Sequence, residues 1–169
     1  MKTIKQITLT ALAALAMAST LSAAQNSANT TANATARIIT PISIAKTADL
    51  NFGDVVSSGV AGTVAVDVAG ARTSAGGASL GNGTGVTAAA FTVSGQGSAT
   101  YAITLPASAV ITSGPNNMTV NGFVSNPAGT GTLSAGGSQA LAVGGTLQVG
   151  VAQATGSYTG TFSVTVAYN

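Results

Sequence analysis

The sequence predicts an all-β fold, an immunoglobulin-like antiparallel β-sandwich, on three observations. Short runs in which apolar and polar residues alternate are separated by turns rich in Gly, Asn and Ser. The apolar residues are mostly Val, Ile and Ala, and apolar residues at helical three-and-four spacing are absent after residue 24. About 145 residues suffice for one domain that buries roughly 68–70% of its unfolded surface. Short strands with such turns are typical of two packed antiparallel sheets.

The amino end, residues 1–24, has the pattern of a secretory signal peptide. Lys2 and Lys5 make the start positive, Ile7–Met17 is apolar, and Ser22-Ala23-Ala24 fits a cleavage site. The apolar run is too short for a membrane span of about 20 residues. The sequence therefore predicts a mature chain that starts near Gln25, has no transmembrane segment, and is secreted to the periplasm and then to the cell surface or outside.

Without the leader, the side-chain charges of the chain cancel. Three cationic side chains, Arg37, Lys46 and Arg72, are equal in number to the three anionic ones, Asp49, Asp54 and Asp67. No charged side chain follows Arg72. There is no basic patch, so nothing favours binding to nucleic acid. A free monomer normally keeps a charged surface, and so neutral a chain fits a subunit that becomes packed in an assembly.

The alternating runs predict seven strands within a domain at residues 38–169. In order they are Ile38–Lys46, Gly62–Val68, Ala89–Val93, Thr100–Leu105, Asn117–Val124, Gln139–Val151 and Tyr158–Tyr168. Ser94–Ser98 is predicted to be a hairpin turn, and Gly144-Gly145 to break the sixth strand. Ala69–Gly85 is predicted to be a long loop or a poorly ordered hairpin.

The last predicted strand has the clearest alternation in the chain. One face holds larger residues and a glycine: Tyr158, Gly160, Phe162, Val164, Val166 and Tyr168. The residues between them are small or polar, so the first set is predicted to face the core. If Phe162 is a core residue, its replacement by Ala is expected to cost about 3–5 kcal/mol.

The segment after the leader also alternates, from Ala28 to Ile44. At about 3.3 Å per residue it spans roughly 56 Å, too long for one strand of a small sandwich. We therefore assign Ile38 onward to the domain and Gln25–Arg37 to an extension. Two interpretations of the extension remain open: a strand donated to a partner, or a flexible linker of Asn, Thr and Ala.

The alternating end with its penultimate tyrosine, together with Leu50-Asn51-Phe52-Gly53, resembles chaperone–usher fimbrial subunits of the archaic or spore-coat-U-like branch. The mature chain is also similar to a family of small secreted bacterial domains with no assigned function. Many such subunits carry a disulfide near the first strand, whereas this chain has no cysteine.

The fimbrial resemblance implies that the extension inserts into a groove of the next subunit and supplies a missing strand. Its pocket-facing residues would be Ala28, Thr30, Ala32, Ala34 and Ala36. The acceptor edge would be formed by Tyr158, Phe162, Val164, Val166 and Tyr168. The expected partners are other copies or related subunits, with a periplasmic chaperone and an outer-membrane usher.

Residues that carry chemistry are scarce. The chain has no His and no Cys, and its side-chain carboxylates are three aspartates, so we expect no enzyme activity, catalytic residue, metal or cofactor. Asp49, Asn51 and Asp54 carry oxygens that suit a cation, but their spacing favours turn capping or solvation. The expected function is a structural subunit of a surface fimbria. The alternative is a self-contained secreted sandwich that binds a surface ligand such as a glycan.

Overall fold

The protein is described by a computed structural model that covers residues 27–169. This part of the chain contains strands and no helix. The strands are β1 Ser43–Ala48, β2 Val55–Val56, β3 Gly62–Val66, β4 Arg72–Gly76, β5 Ser79–Leu80, β6 Ala89–Ser94, β7 Thr100–Thr104, β8 Ser108–Ser113, β9 Asn116–Asn126, β10 Thr130–Thr132, β11 Ser138–Val149, β12 Thr159–Gly160 and β13 Thr165–Tyr168. All strand pairs are antiparallel, and the predicted all-β, sandwich-like class is confirmed.

The predicted signal peptide, residues 1–24, lies outside the described residues. Over residues 27–169, no helix is long and apolar enough to cross a membrane. The chain divides into two units, Met1–Arg37 and Ile38–Asn169. In the first unit, residues 27–37 form no strand and their side chains are exposed. The second unit contains every strand named above.

The larger sheet is organised around β11. Its strands follow the order β1-β6-β11-β9-β8-β12, and β3 with its neighbour β4 joins the free part of β11. β11 pairs with β6 up to Val143 and with β3 from Gly145 onward. A Cβ atom on Gly144 would collide with the carbonyl oxygen of Val66. The predicted break at Gly144-Gly145 is therefore wrong: the glycines let one continuous strand change partners.

The second layer contains a small sheet with the order β10-β7-β13 and the short β2-β5 pair. The predicted hairpin at Ser94–Ser98 is wrong, because β6 and β7 belong to different sheets. The connection crosses between the layers and is held by main-chain bonds. Gly95 donates to Gly137 at 2.9 Å and Ser98 donates to Ser134 at 3.0 Å. These partners are remote in sequence, so no local pattern could indicate them.

The core consists of two hydrophobic clusters. The first lies around β3 and the later part of β11 and is formed by Phe52, Val64, Val66, Ala78, Val120, Leu147 and Val149. The second packs β6 and the first part of β11 against the small sheet through Ala89, Val93, Tyr101, Ile103, Leu133, Leu141 and Val143. Tyr101 is fully buried, and its hydroxyl donates to Gln139 Oε1 at 2.8 Å. Burial raises the pKa of Tyr101 above its usual value.

Several predicted strand limits need correction. The first strand begins at Ser43 rather than Ile38, and Ile38 is 98% exposed. The segment Ala69–Gly85, predicted to be a long loop or a poorly ordered hairpin, contains β5 and also β4, which pairs with β3. β4 has mostly exposed side chains, so burial imposes no alternation on its sequence. The short strands β2, β8 and β10 also lay outside the predicted set.

The predicted strand Tyr158–Tyr168 is divided in two. β12 pairs with β8 in the larger sheet, and β13 pairs with β7 in the small sheet. Between them, residues 161–164 have no strand partner within the described chain. The predicted alternation is confirmed except at Gly160, which is exposed. The other residues predicted to face inward are half-buried: Tyr158, Phe162, Val164, Val166 and Tyr168. The segment therefore passes from one layer to the other with one side incompletely covered.

Candidate functional site

Two edge strands border one open side of the sandwich. Within the described chain, β1 pairs only with β6, and β13 pairs only with β7. Ile42 and Ile44 from the β1 region pack against the same core cluster as Val164 and Val166. The two edges thus face one interior, and each keeps one row of backbone groups without a strand partner.

Hydrogen bonds join the segments that carry the two edges at both ends. At one end Ser57 Oγ donates to the Gln153 carbonyl at 3.1 Å, and at the other end lies Tyr168. Its hydroxyl donates to the Thr40 carbonyl at 2.7 Å and accepts a hydrogen bond from the Gln96 amide at 2.6 Å. Away from this link, a cavity of about 1150 Å³ lies between residues 46–57 and residues 153–162. Residues 40–57 and residues 153–168 therefore run in opposite directions along this opening. We call the opening between them the groove.

The floor of the groove is apolar. It is formed by side chains from β8, β9 and β11: Ala109, Ile111, Met118, Val120, Leu147 and Val149. Phe52, Phe91 and Phe162 also line the cavity. Small-molecule pockets usually have volumes of about 300–1,000 Å³, so this one is larger than a compact ligand requires. An opening with an apolar floor and polar walls, continuous with the free edges of β1 and β13, has the shape that an extended peptide segment fills.

One wall of the groove is the Leu50-Asn51-Phe52-Gly53 motif. Asn51 Oδ1 accepts a hydrogen bond from the Gly53 amide at 2.8 Å, which is a turn-capping contact. Gly53 has a φ of +64°, a conformation that glycine adopts without strain. Phe52 is turned into the core cluster. The motif thus forms a tight turn whose aromatic side chain supports the cavity.

Arg72 fixes this wall from behind. Its guanidinium donates to the carbonyls of Phe52 at 2.7 Å, Asp54 at 2.8 Å and Gly81 at 3.0 Å. The Asp54 carbonyl also accepts a hydrogen bond from the Gly81 amide at 2.9 Å, so Arg72 is its second donor. Sequence reasoning missed the role of Arg72, because its partners are backbone atoms 9 to 20 residues away.

The opposite wall is the turn before β12. The Tyr158 hydroxyl accepts from Gln153 Nε2 at 2.8 Å and donates to the Ala154 carbonyl at 2.8 Å. Gly160 lies against the backbone of Val110, where a Cβ atom would collide with the carbonyl oxygen. Of the predicted acceptor residues, Tyr158 and Phe162 line the cavity, whereas Val164, Val166 and Tyr168 pack farther along the same edge.

The predicted donor residues lie in the first unit. They share two properties, exposure and the absence of strand structure: Ala28, Thr30, Ala32, Ala34 and Ala36. The cation site considered from the sequence is not assembled. Asp49 pairs with Lys46, Asn51 caps its own turn, and the described residues contain no group of three or more potential metal-binding side chains.

Phe162 gives a direct test of the groove. Its ring stacks on Phe123 with the centroids 4.8 Å apart and the planes at 29°, yet it is only half-buried. We expect Phe162→Ala to lower the free energy of unfolding by about 2–3 kcal/mol, below the cost for a fully enclosed ring. Urea denaturation measures the change. Thr161→Ala, at an exposed neighbour, is the control and should change stability by less than about 0.5 kcal/mol. A loss below about 1 kcal/mol for Phe162→Ala would contradict the packing.

Comparison with protein-family models finds a match to a family described as a domain of unknown function (DUF4402). The match covers residues 42–168, which include every strand from β1 to β13 and both walls of the groove. The comparisons found no similar curated protein and no similar solved structure.

Proposed function

The chain belongs to the DUF4402 family, and we propose that it is a secreted structural subunit of a surface fimbria or pilus-like polymer assembled by β-strand exchange. The observation that carries this proposal is the groove. It lies between two strand edges that each have one free side within the described residues, and its floor is apolar. An inserted strand would pair with the free backbone groups of these edges and cover the floor residues that are only half-buried, Ala109, Ile111 and Met118.

The edges support this function on physical grounds. An unpaired strand edge presents free N–H and C=O groups, and these pair readily with an added strand. β13 has such an edge, and the adjoining residues 161–164 have no ladder partner in the described chain. An inserted strand would extend the small sheet beyond β13 and cover the half-buried face of Phe162 and Val164.

The extension has the properties of the inserted strand. Residues 27–37 are exposed and form no strand, so their backbone is available for pairing. The 13 residues of Gln25–Arg37 reach about 43 Å when extended, and the 11 residues of Tyr158–Tyr168 reach about 36 Å. The alanines at alternate positions bury little area each. Main-chain hydrogen bonds along the full length would therefore supply most of the attraction.

The surface of the β-sandwich unit also fits an assembled state. Several large apolar side chains are more than half exposed: Val56, Val60, Val110, Val124 and Val151. Few charges separate one molecule from the next, since the chain beyond Arg72 has none. Neutral surfaces with exposed apolar residues promote association. A glycan-binding sandwich is the chief alternative, for which polar side chains on the walls of the groove, such as Asp54 and Thr161, would supply hydrogen bonds to sugar hydroxyls. The apolar floor favours an inserted strand.

The native mass of the purified protein tests the proposal. After expression of the complete sequence with export, we expect a ladder of oligomers that survives detergent, because a fully paired inserted strand dissociates slowly. The first residue should lie near Gln25, and a start at Met1 would contradict secretion.

An excess of a synthetic peptide with the sequence Gln25–Arg37 should shorten the oligomers by occupying grooves. A monomer that does not bind this peptide would contradict strand exchange and favour the self-contained sandwich.

A further inference from the structure

Two charged side chains, one cation and one anion, have no partner among the described residues. The other four charged groups are engaged. Lys46 pairs with Asp49, Arg72 donates to three carbonyls, and Asp67 Oδ1 accepts from two turn amides at 2.8 and 2.9 Å. No hydrogen bond or ion pair within residues 27–169 involves the guanidinium of Arg37 or the carboxylate of Asp54.

Asp54 lies on the wall of the groove in a fixed position. Its amide donates to the Asn82 carbonyl at 3.3 Å, and its own carbonyl accepts from Gly81 at 2.9 Å and from Arg72. The residue is exposed and lines the cavity. The carboxylate is thus carried by a rigid backbone at the end of the groove that is remote from the Thr40–Tyr168 link.

Arg37 is the last residue of the extension and the one charged residue in Gln25–Arg37. It has the parity of Asn33 rather than that of Ala34, so in an inserted strand its side chain points out of the groove, toward the rim where the Asp54 carboxylate is exposed. An extension laid along the C-terminal segment has two possible directions. If it runs antiparallel to that segment, its last residue arrives beside Asp54. If it runs parallel, Arg37 arrives near Tyr168, where Thr40, Gln96 and Tyr168 meet without a charged side chain. The charges therefore distinguish the two directions.

We propose that an ion pair between Arg37 of one copy and Asp54 of the next sets the direction and register of strand insertion. The inserted extension then runs antiparallel to the C-terminal segment, as do all paired strands of the described chain. This inference rests on the proposed function and adds the direction and register in which the extension of one copy enters the groove of the next. A charge pair at the rim of an interface acts mainly on encounter rate and on the choice of partner. Wrong register is penalised, because a one-residue slip turns every side chain to the other face.

Charge reversal tests the pair in the full-length protein. Light scattering and native mass follow assembly. Arg37→Asp alone and Asp54→Arg alone should each slow assembly by at least about tenfold, because each places like charges together. Mixing the two variants should restore assembly to near the wild-type rate. In the mixture, the introduced aspartate of one variant meets the introduced arginine of the other, and the retained Arg37 meets the retained Asp54. The product should therefore be an alternating copolymer.

Two controls and one condition sharpen the result. Arg37→Lys keeps the positive charge and should assemble within about threefold of the wild-type rate. Asp49→Asn removes an anion that already pairs with Lys46, and it should also assemble within about threefold of the wild-type rate. In about 1 M salt the defect of each reversal should shrink, since the screening length falls to about 3 Å. Circular dichroism of each variant should match wild type.

The outcomes separate this inference from the proposed function. If the mixture of folded variants assembles no better than either variant alone, the Arg37–Asp54 pair is wrong. The pair is also wrong if Arg37→Asp assembles as fast as wild type while a chain that lacks the extension fails to assemble. In that case the strand-exchange proposal is unaffected. If wild type itself stays monomeric and ignores the peptide, the proposed function fails instead.

Discussion

Deletion of Gln25–Thr35 is expected to abolish assembly and to leave the β-sandwich unit folded with an unchanged free energy of unfolding. The described residues that are removed, 27–35, form no strand and are exposed, so the sheets lose no contact of their own. The shortened chain keeps its groove and accepts a donor, but it cannot donate. Added to wild type, it should therefore terminate growing chains, and the mean oligomer mass should fall as its fraction rises. Size-exclusion chromatography with light scattering measures both effects.

Point variants within the extension control for the loss of length. Ala34→Asp and Ala32→Asp should each block insertion, because each places a charge against the apolar floor of the groove. Asn33→Asp adds the same charge at a position of opposite parity, which faces away from the groove in an inserted strand. It should assemble within about threefold of wild type, a small change that fits an exposed charge. If the deletion or Ala34→Asp assembles as well as wild type, the extension is a linker and strand exchange must be abandoned.

Replacement of Tyr101 by Ala is expected to cause the largest loss of stability, about 3–5 kcal/mol. Tyr101 is completely buried and is the largest such side chain in the described chain. Its ring lies against Gly131 of β10, where a Cβ atom would collide with the ring. Truncation therefore opens a cavity that the neighbouring backbone is too fixed to fill. Urea unfolding at neutral pH measures the change in the free energy of unfolding. A loss of this size would show that the second cluster depends on the packing of Tyr101.

Tyr101→Phe is the matched control for this prediction. It keeps the ring and removes only the hydroxyl that donates to Gln139 Oε1. We expect a loss of about 1 kcal/mol, the usual net value of one hydrogen bond, with the acceptor left unsatisfied. If Tyr101→Ala costs less than about 1 kcal/mol, or no more than Tyr101→Phe, the packing of the small sheet on the larger one is wrong.

The alternation of apolar and polar residues predicted the class of fold and the faces of individual strands. Val64 and Val66 alternate with Thr63 and Ala65, and both valines are buried. The same rule placed Phe162, Val164 and Val166 on the covered side of the chain end. These predictions held because the two-residue period of a strand depends only on the residue's own backbone geometry and on one face being covered. They required no knowledge of which strand lies beside which.

The partner of each strand, and with it the position of the groove, depends on how the sheets pack together. Alternation looks the same whichever neighbour a strand has, so it did not reveal that β6 and β7 lie in different sheets or that the last strand divides between two. Hydrogen bonds between distant residues made those choices, including the bond from Tyr168 to Thr40, 128 residues away. The three carbonyl contacts of Arg72 are likewise invisible in sequence, because backbone acceptors carry no residue identity. A strand edge stays open when no other strand pairs with it. Which edges stay open therefore depends on how the two sheets pack, and the alternation of residues along one strand does not show it.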